Sequence, residues 1–435
     1  MKYYSTNHQA PTASLREAII KGLAPDKGLY MPESIPVMPA SFFENIQEMS
    51  LQEIAGEVAT ALLGEDVPEE ELRRIAAEAL NFDIPAVEVC KNIWSLELFH
   101  GPTLAFKDVG ARFMARLLAY FTGTSEGEKP INVLAATSGD TGSAVANGFL
   151  GVEGIRVFIL YPHGKVSPLQ EAQFTTLGKN ITAIAVDGTF DDCQALVKNA
   201  FMDKELNDRM KLTSANSINL GRLLPQSFYY FYGYAQMKKK GLADKLNICV
   251  PSGNFGNIAA GLLAKRMGLP VHRFIAANNS NDVFCQYLQT GKYMPRPSIP
   301  TIANAMDVGA PSNFARILEL FGNDHAAIQA AVSGKAYNDD QIREAIHETH
   351  DRFGYLLDPH GACAYLALRE LLPEGETGLF LETAHPAKFH ETIASVIGTE
   401  PEMPERLQAF MNKQKQRVFM GNDFNSFKYY LLNRD

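Results

Sequence analysis

The stretch INVLAATSGDTGSAVANGFL, residues 131–150, joins a short apolar run, a polar turn and a helical pattern. Ile131–Ala136 has the length and composition of a buried β-strand, and Ser143–Phe149 continues as a helix. Between them lies Thr137-Ser138-Gly139-Asp140-Thr141-Gly142. A strand that runs through a short turn into a helix is the repeating unit of α/β proteins with parallel sheets. This stretch therefore predicts the fold class.

The same design recurs near residue 250. Asn247–Val250 leads into Ser252-Gly253-Asn254-Phe255-Gly256-Asn257, and Ile258–Met267 follows with a helical pattern. In both turns several backbone N–H groups precede a helix, whose dipole places its positive end behind them. Such a turn can bind a phosphate or a carboxylate without a basic side chain, since glycine allows a close approach. For either turn alone, a helix start capped by Ser, Thr or Asn is the alternative interpretation.

Further strands alternate with helical patterns along the chain. They are Arg156–Tyr161, Ile181–Val186, Lys211–Ala215, Arg273–Ala277 and Gly378–Leu381. Four strands precede residue 220 and the others follow it, which predicts an α/β protein with two open, twisted, mostly parallel sheets flanked by helices. The active site is expected in a cleft between the sheets. Residues 45–80 predict helices, because apolar residues recur there at helical spacing. Three segments are expected: a helical N-terminal region over 1–95, a smaller α/β domain over 96–222 and a larger one over 223–435.

Composition excludes several classes of protein. Lys and Arg number 40 against 49 Asp and Glu, and the net charge of −9 argues against nucleic acid as a partner. The 5 cysteines are far apart and form no CxxC pair, so neither a disulfide framework nor a zinc ribbon is expected. The N-terminus lacks the core of a signal peptide, and no apolar stretch is long enough to span a bilayer. A cytoplasmic protein without a membrane partner is expected.

Several common cofactor motifs are absent. No two of the 33 glycines lie two positions apart, so the dinucleotide fingerprint GxGxxG cannot occur. The phosphate loop GxxxxGK[ST] and the zinc motif HExxH are missing as well. His347 and His350 are expected to lie solvated on a helix, and no metal site is expected. An α/β enzyme without these motifs suggests another kind of cofactor.

The segment Phe99-His100-Gly101-Pro102-Thr103-Leu104-Ala105-Phe106-Lys107-Asp108 leads into another helical pattern. Lys107 falls in the first turn of that helix, close to the apolar residues Phe106 and Leu104. Low polarity and the positive end of the helix dipole both disfavour a protonated amine, so we expect the pKa of Lys107 to be lowered. An unprotonated lysine is what imine chemistry requires. An exposed lysine at a helix start is the alternative.

These segments resemble the threonine synthase family, in the structural group of pyridoxal-phosphate enzymes whose type is the tryptophan synthase β chain. The resemblance covers almost the whole chain. Besides the two turns and the lysine segment, it rests on Leu23–Glu33, Ser214–Asn219 with Arg222, and Leu381–Pro386.

The resemblance implies a role for each motif. Lys107 would carry pyridoxal 5′-phosphate as an imine, and Thr383 would meet the pyridine nitrogen. The cofactor phosphate would be held by Gly253, Asn254, Phe255, Gly256 and Asn257. The substrate carboxylate would be held by Thr137, Ser138 and Thr141. The substrate phosphate would be held by Asn216, Ser217 and Arg222, with Asn254 shared. Asp140 stands where the wider group has Asn beside the cofactor 3-oxygen, and its role stays open.

The implied reaction converts O-phospho-L-homoserine and water to L-threonine and phosphate, by γ-elimination and β-addition of water. A phosphohomoserine lyase that yields 2-oxobutyrate would use the same loops, and a catalytically silent binding protein of the same fold is a third possibility. An amino-acid dehydratase or a cysteine synthase is disfavoured, because neither needs a site for the substrate phosphate. The chain is expected to be a monomer or a homodimer.

The run Phe228-Tyr229-Tyr230-Phe231-Tyr232 contains no interleaved basic residues. Base stacking in nucleic-acid proteins combines aromatic with basic side chains. The run therefore predicts helix packing or a subunit contact.

Overall fold

The structure is a computed structural model that describes residues 1–122 and 129–434. The chain divides into two compact units. The larger unit contains Met31–Phe106 and Leu223–Glu402, together with Met1. The smaller unit contains Lys2–Tyr30, Lys107–Arg222 and Met403–Asp435.

The described residues form strands and helices in alternation. The strands are β1 (Tyr3–Ser5), β2 (Tyr30–Pro32), β3 (Ala86–Cys90), β4 (Ile93–Glu97), β5 (Ile131–Ala136), β6 (Ile155–Pro162), β7 (Ile181–Asp187), β8 (Lys211–Ser214), β9 (Leu246–Pro251), β10 (Arg273–Asn278), β11 (Val332–Ala336), β12 (Thr377–Glu382) and β13 (Val418–Gly421). The helices are α1 (Leu15–Lys21), α2 (Ala40–Asn45), α3 (Leu51–Leu63), α4 (Glu69–Ala79), α5 (Lys107–Thr122), α6 (Asp140–Gly148), α7 (Pro168–Thr175), α8 (Phe190–Met202), α9 (Lys204–Arg209), α10 (Leu220–Leu223), α11 (Phe228–Lys239), α12 (Gly256–Arg266), α13 (Val283–Thr290), α14 (Phe314–Leu320), α15 (His325–Ala331), α16 (Asp339–Phe353), α17 (Pro359–Leu371), α18 (His390–Ile397), α19 (Glu405–Met411) and α20 (Phe424–Leu432). Short 3₁₀ turns occur at Ile46–Glu48, Leu224–Ser227, Asn304–Met306 and Pro386–Phe389.

The larger unit is built on a six-stranded sheet in the order β11-β10-β9-β12-β4-β3. All neighbours in it are parallel except β3 and β4, which form an antiparallel pair. Every residue of β9 and β12 is buried, as expected for central strands of a parallel sheet covered on both faces. Helix α17 packs on β9, β10 and β12. The carboxyl ends of β9 and β12 therefore lie along one edge of this sheet.

The smaller unit is built on a five-stranded sheet in the order β13-β7-β6-β5-β8, and all of its strand pairs are parallel. Each residue of β5 is buried. Helix α6 follows β5 directly and packs against α5 and α7. The polar turn at the carboxyl end of β5 is thus fixed between a central strand and a packed helix.

The predicted fold class is confirmed, and the predicted strands are present with ends that differ by one residue or not at all. The helices predicted over 45–80 are α3 and α4, and α3 begins at a capping box formed by Ser50 and Glu53. No helix within residues 1–122 and 129–434 is long and apolar enough to cross a membrane.

The division of the chain differs from the three contiguous segments expected from the sequence. Residues 2–30 and 403–435 belong to the smaller unit, and residues 31–106 belong to the larger one. Pairing explains both differences. β13 pairs with β7 and α20 packs on α8, whereas β4 pairs with β12. These pairings join segments that are far apart in the chain.

Candidate functional site

The Ser252 loop (Ser252–Asn257) links β9 to α12 in the larger unit. Phe255 adopts a left-handed backbone conformation with φ 62° and precedes α12, and no side chain caps that helix. A Cβ on Gly253 would lie 2.5 Å from the Cα of Met306, so only glycine fits between the loop and that backbone. The loop therefore presents a helix N-terminus to a ligand, with its backbone held in place from behind.

Asn257 supplies a side-chain donor beside this helix start. The hydroxyls of Tyr229 and Tyr230 both donate to Asn257 Oδ1, each over 2.6 Å. Burial raises the pKa of both tyrosines well above the usual range, so the hydroxyls stay protonated and act as donors. With Oδ1 fixed as acceptor, Nδ2 must be the donor, and it is buried with no hydrogen-bond partner among the described residues. An anion bound at the Ser252 loop would accept a hydrogen bond from this Nδ2 and so satisfy the amide.

Thr383 lies at the end of β12, in the same unit. Its main-chain oxygen accepts a hydrogen bond of 2.9 Å from Phe106 N, and His385 N donates to Leu104 O over 3.1 Å. The segment that precedes Lys107 is thereby fixed against the strand end that carries Thr383. Thr383 is buried, and the next residue after Phe106 in the chain is Lys107.

Lys107 is the first residue of α5 in the smaller unit and is half-buried. Gly110, one turn further along α5, packs so closely on Arg222 that a Cβ there would lie 2.8 Å from Arg222 O. Helix α5 and the Arg222 backbone are therefore neighbours.

Arg222 is almost fully buried, and its Nη1 donates to Ala215 O over 2.5 Å. Burial lowers the pKa of the guanidinium to about 10, and the charge of Asp108 partly opposes that change. Arg222 is therefore a cation at neutral pH. In the same segment Asn216 N donates to Ser214 Oγ, while the buried Oδ1 of Asn216 has no hydrogen-bond partner among the described residues.

The Thr137 loop (Thr137–Gly142) links β5 to α6. The hydroxyl of Thr137 accepts hydrogen bonds from Gly139 N over 2.9 Å and Gly142 N over 2.8 Å, so the loop satisfies part of its own backbone. Asp140 is buried, and its Oδ1 accepts a hydrogen bond of 3.0 Å from Gln170 Nε2. Ser138 is exposed and Thr141 is half-buried, which leaves these two residues accessible to a ligand.

The residues predicted from the sequence thus form two sets. The larger unit brings the Ser252 loop and Thr383 to one edge of its sheet. The smaller unit holds Lys107, the Thr137 loop and the segment from Asn216 to Arg222. Sequence reasoning missed the residues that hold these groups, above all Tyr229, Tyr230 and Gln170. The aromatic run was predicted to serve helix packing or a subunit contact; four of its five residues are buried in α11, and Tyr232 is partly exposed.

Family models match nearly the whole chain. A model of pyridoxal-phosphate dependent enzymes matches residues 82–384. Models of the N terminus and of the C-terminal part of threonine synthase match residues 2–80 and 361–430.

Individual proteins give the same result. The threonine synthase of Serratia marcescens is 46% identical over 407 residues, which cover 94% of this chain and 93% of that protein. The threonine synthase of Haemophilus influenzae is 44% identical over 432 residues, or 99% and 100% of the two chains.

Solved structures agree in fold. The crystal structure of threonine synthase from Escherichia coli superposes with a TM-score of 0.93 at 41% identity and covers 100% of both chains. A pyridoxal-phosphate-bound threonine synthase from Brucella melitensis gives 0.93 at 36% identity over 99% of both chains. Maize serine racemase, at 17% identity, a TM-score of 0.54 and 72% coverage of this chain, shares the fold alone.

Proposed function

Because the chain belongs to the threonine synthase family of pyridoxal-phosphate enzymes, we propose that its two residue sets together convert O-phospho-L-homoserine and water to L-threonine and phosphate. The observation that carries the assignment of the cofactor end is the amide of Asn257. Its Nδ2 lacks an acceptor among residues 1–122 and 129–434 and stands at the start of α12, where a phosphate dianion would accept from it and from backbone N–H groups. A loop without charged side chains that offers backbone and amide donors fits the cofactor phosphate.

Thr383 is proposed to bind the pyridine nitrogen of the cofactor. A neutral hydroxyl donates a hydrogen bond to that nitrogen without transferring a proton, unlike a carboxylic acid partner. When bound, the cofactor supplies an electron-accepting ring that spreads negative charge arising at the substrate carbons. By leaving that nitrogen without a proton, the Thr383 hydroxyl would limit this capacity and disfavour unwanted transamination.

Lys107 is proposed to bind the cofactor and, once the substrate amine has displaced it, to act as the base at the substrate Cα. Its position in the first turn of α5 supports this role, since the helix dipole favours the uncharged amine. The same amine can carry the proton to a later atom of the substrate, because it stays tethered within the site.

Arg222 is proposed to bind the substrate phosphate, with Asn216, Ser217 and Asn254. A buried guanidinium gives charge-assisted hydrogen bonds that strengthen as charge builds on the leaving phosphate. These groups suit a substrate with a second anionic end.

The Thr137 loop is proposed to bind the substrate carboxylate through Thr137, Ser138 and Thr141, by hydroxyl and backbone donors. Asp140 is proposed to stay near the cofactor ring, with its carboxylate held by Gln170.

The test uses purified protein loaded with pyridoxal phosphate and supplied with O-phospho-L-homoserine. Threonine and phosphate should appear in equal amounts, measured by chromatography and a phosphate assay. Release of 2-oxobutyrate and ammonia in place of threonine would contradict the proposal and indicate a lyase. The control omits the substrate phosphate by offering L-homoserine, which should give no threonine.

A further inference from the structure

A buried histidine and a buried aspartate stand at the start of α17, behind the edge of the larger sheet. Asp358 is the residue before the helix, and its Oδ1 lies 2.6 Å from both the backbone N and the ring Nδ1 of His360. Asp358 has 0% and His360 2% of its surface exposed, so solvent cannot take the place of either partner. Nothing in the proposed reaction uses them directly.

Asp358 binds the residues on both sides of Thr383. Its Oδ2 accepts a hydrogen bond of 3.2 Å from Ala384 N, and its own backbone N donates to Glu382 Oε1 over 2.5 Å. The strand end that carries Thr383 is therefore fixed through its two chain neighbours.

His360 reaches in the opposite direction. Its Nε2 accepts a hydrogen bond of 3.2 Å from the backbone N of Ala305. Ala305 and Met306 form the backbone on which the Ser252 loop rests, since a Cβ on Gly253 would lie 3.1 Å from Ala305 O and 2.5 Å from Met306 Cα. The backbone behind the Ser252 loop is thus hydrogen-bonded to the imidazole ring of His360.

One tautomer of the His360 ring satisfies the hydrogen bonds of both of its nitrogens. Nε2 accepts from a backbone N–H and so carries no proton, whereas Nδ1 faces a carboxylate oxygen and so carries one. Glu382 also contacts this pair, because its Oε1 accepts a hydrogen bond from the backbone N of Asp358. Burial, with the nearby charge of Asp358, raises the pKa of the Glu382 carboxyl well above its usual range and so favours its neutral form.

The side chain of Glu97, which lies near this pair, has hydrogen-bond partners of its own. Glu97 accepts from the Tyr355 hydroxyl over 3.0 Å and lies 2.7 Å from His100 Nε2. The carboxyl of Glu382 packs directly on Gly361, since a Cβ there would overlap it. Asp358 and His360 therefore have fixed partners on each side.

We propose that Asp358 and His360 act as a positioning pair that sets the spacing between the Ser252 loop and Thr383. This spacing would position the bound cofactor at both its phosphate and its pyridine nitrogen. This inference rests on the proposed function, which assigns the two ends. It predicts that each nitrogen of His360 controls one end of the bound cofactor.

Two substitutions separate the two nitrogens. The amide of asparagine lies near the position of Nδ1, so His360→Asn keeps a donor to Asp358 and loses the acceptor for Ala305 N. The amide of glutamine reaches the position of Nε2, so His360→Gln keeps the acceptor and loses the donor to Asp358. His325→Gln is the matched control, because His325 lies in the same unit and its Nε2 lies 3.0 Å from the backbone oxygens of Tyr287 and Leu288.

The readouts are taken on the holoenzyme without substrate. Phosphorus NMR of the cofactor phosphate reports on the Ser252 loop, and nitrogen NMR of cofactor labelled at the pyridine nitrogen reports on Thr383. His360→Asn should shift the phosphorus signal and leave the nitrogen signal in place. It should also raise the dissociation constant of the cofactor about 2- to 10-fold, as expected for one hydrogen bond. His360→Gln should shift the nitrogen signal and leave the phosphorus signal in place.

Wild-type protein is tested first for cofactor binding and threonine formation, so a failure there counts against the proposed function alone. Far-UV circular dichroism checks that each variant folds, and either variant decides the matter, since each predicts one moved and one unmoved signal. The positioning pair is overturned if both signals move together in a folded variant, or if neither moves further than in His325→Gln.

Discussion

The Ser252 loop and the Thr137 loop have the same arrangement in the sequence, a buried strand followed by a polar turn and a helix. Their surroundings differ in charge. The first turn of α12 contains no acidic residue, whereas α6 begins with Asp140. The Thr137 loop also binds two of its own backbone N–H groups through the hydroxyl of Thr137. The Ser252 loop is therefore the better seat for a dianion, and the Thr137 loop suits a ligand with less charge.

The neighbours of the loops explain how each is held. Asn257 is oriented by two tyrosine hydroxyls and keeps a donor for a ligand. Asp140 is oriented by Gln170, which donates to the carboxylate. In both loops a distant side chain decides which groups face a ligand, and the turn sequence does not.

Lys107→Ala removes the reactive amine and leaves both loops intact. We expect turnover to fall by several orders of magnitude, because the cofactor anchor and the base are lost together. Turnover and the visible absorbance band of the lysine-bound cofactor are the measurements. Lys204→Ala, at a lysine whose side chain is 90% exposed, is the control and should match wild type. Borohydride labelling of a lysine other than Lys107 in the wild-type protein would refute the assignment.

Asn257→Asp places a carboxylate in the Ser252 loop and so makes it resemble the Thr137 loop. The lost donor and the added charge should together weaken cofactor binding by about 2–4 kcal/mol, roughly 30- to 1,000-fold. The dissociation constant is measured by titrating apoprotein with pyridoxal phosphate. The reciprocal change, Asp140→Asn, removes charge from the Thr137 loop and should alter this constant less. Equal effects of the two variants would remove the distinction between the loops.

Arg222→Ala tests whether the segment from Asn216 to Arg222 binds a second anion. Losing a charge-assisted hydrogen bond should reduce kcat/KM for O-phospho-L-homoserine by about 1.5–3 kcal/mol, roughly 10- to 150-fold. The loss should include kcat, because phosphate gains charge as its bond breaks. The absorbance band of the bound cofactor should be unchanged. Unchanged kinetics with a lower melting temperature would assign Arg222 to the fold instead.

Glu382→Gln tests whether the buried carboxyl of Glu382 is neutral in the folded protein, in contrast to the carboxylate proposed for Asp140. The pKa of Glu382 is raised from its ordinary value of 4.5, so above that pH the folded state holds a proton that the unfolded state has lost. The free energy of unfolding of wild type should therefore fall as pH rises, by at most about 1.4 kcal/mol per pH unit.

The Gln variant lacks the titratable carboxyl, so its free energy of unfolding should fall less between about pH 5 and 8 than that of wild type. Urea denaturation at a series of pH values measures the difference between the two proteins. An identical pH slope would mean that Glu382 is ionised in the folded state.

Local patterns in the sequence predicted the central strands well. Ile131–Ala136 has the same bounds in the sequence interpretation and in β5. β13 was missed because it is short, its residues alternate between partly buried and exposed, and its partner β7 lies far away in the chain. The pair β3 and β4 was missed for a related reason, since it joins the larger sheet through β12.

The sequence by itself determined the two strand–turn–helix units, the lysine at a helix start and the family, because apolar periodicity and turn residues are encoded over a few neighbouring positions. Only the tertiary structure decided that Tyr229 and Tyr230 orient Asn257, that Gln170 holds Asp140, and that His360 joins Ala305 to Asp358. Apart from the short Asp358–His360 contact, these hydrogen bonds link residues 27 to 55 positions apart. No local pattern records such partners, since they are selected by how the buried strands and helices pack.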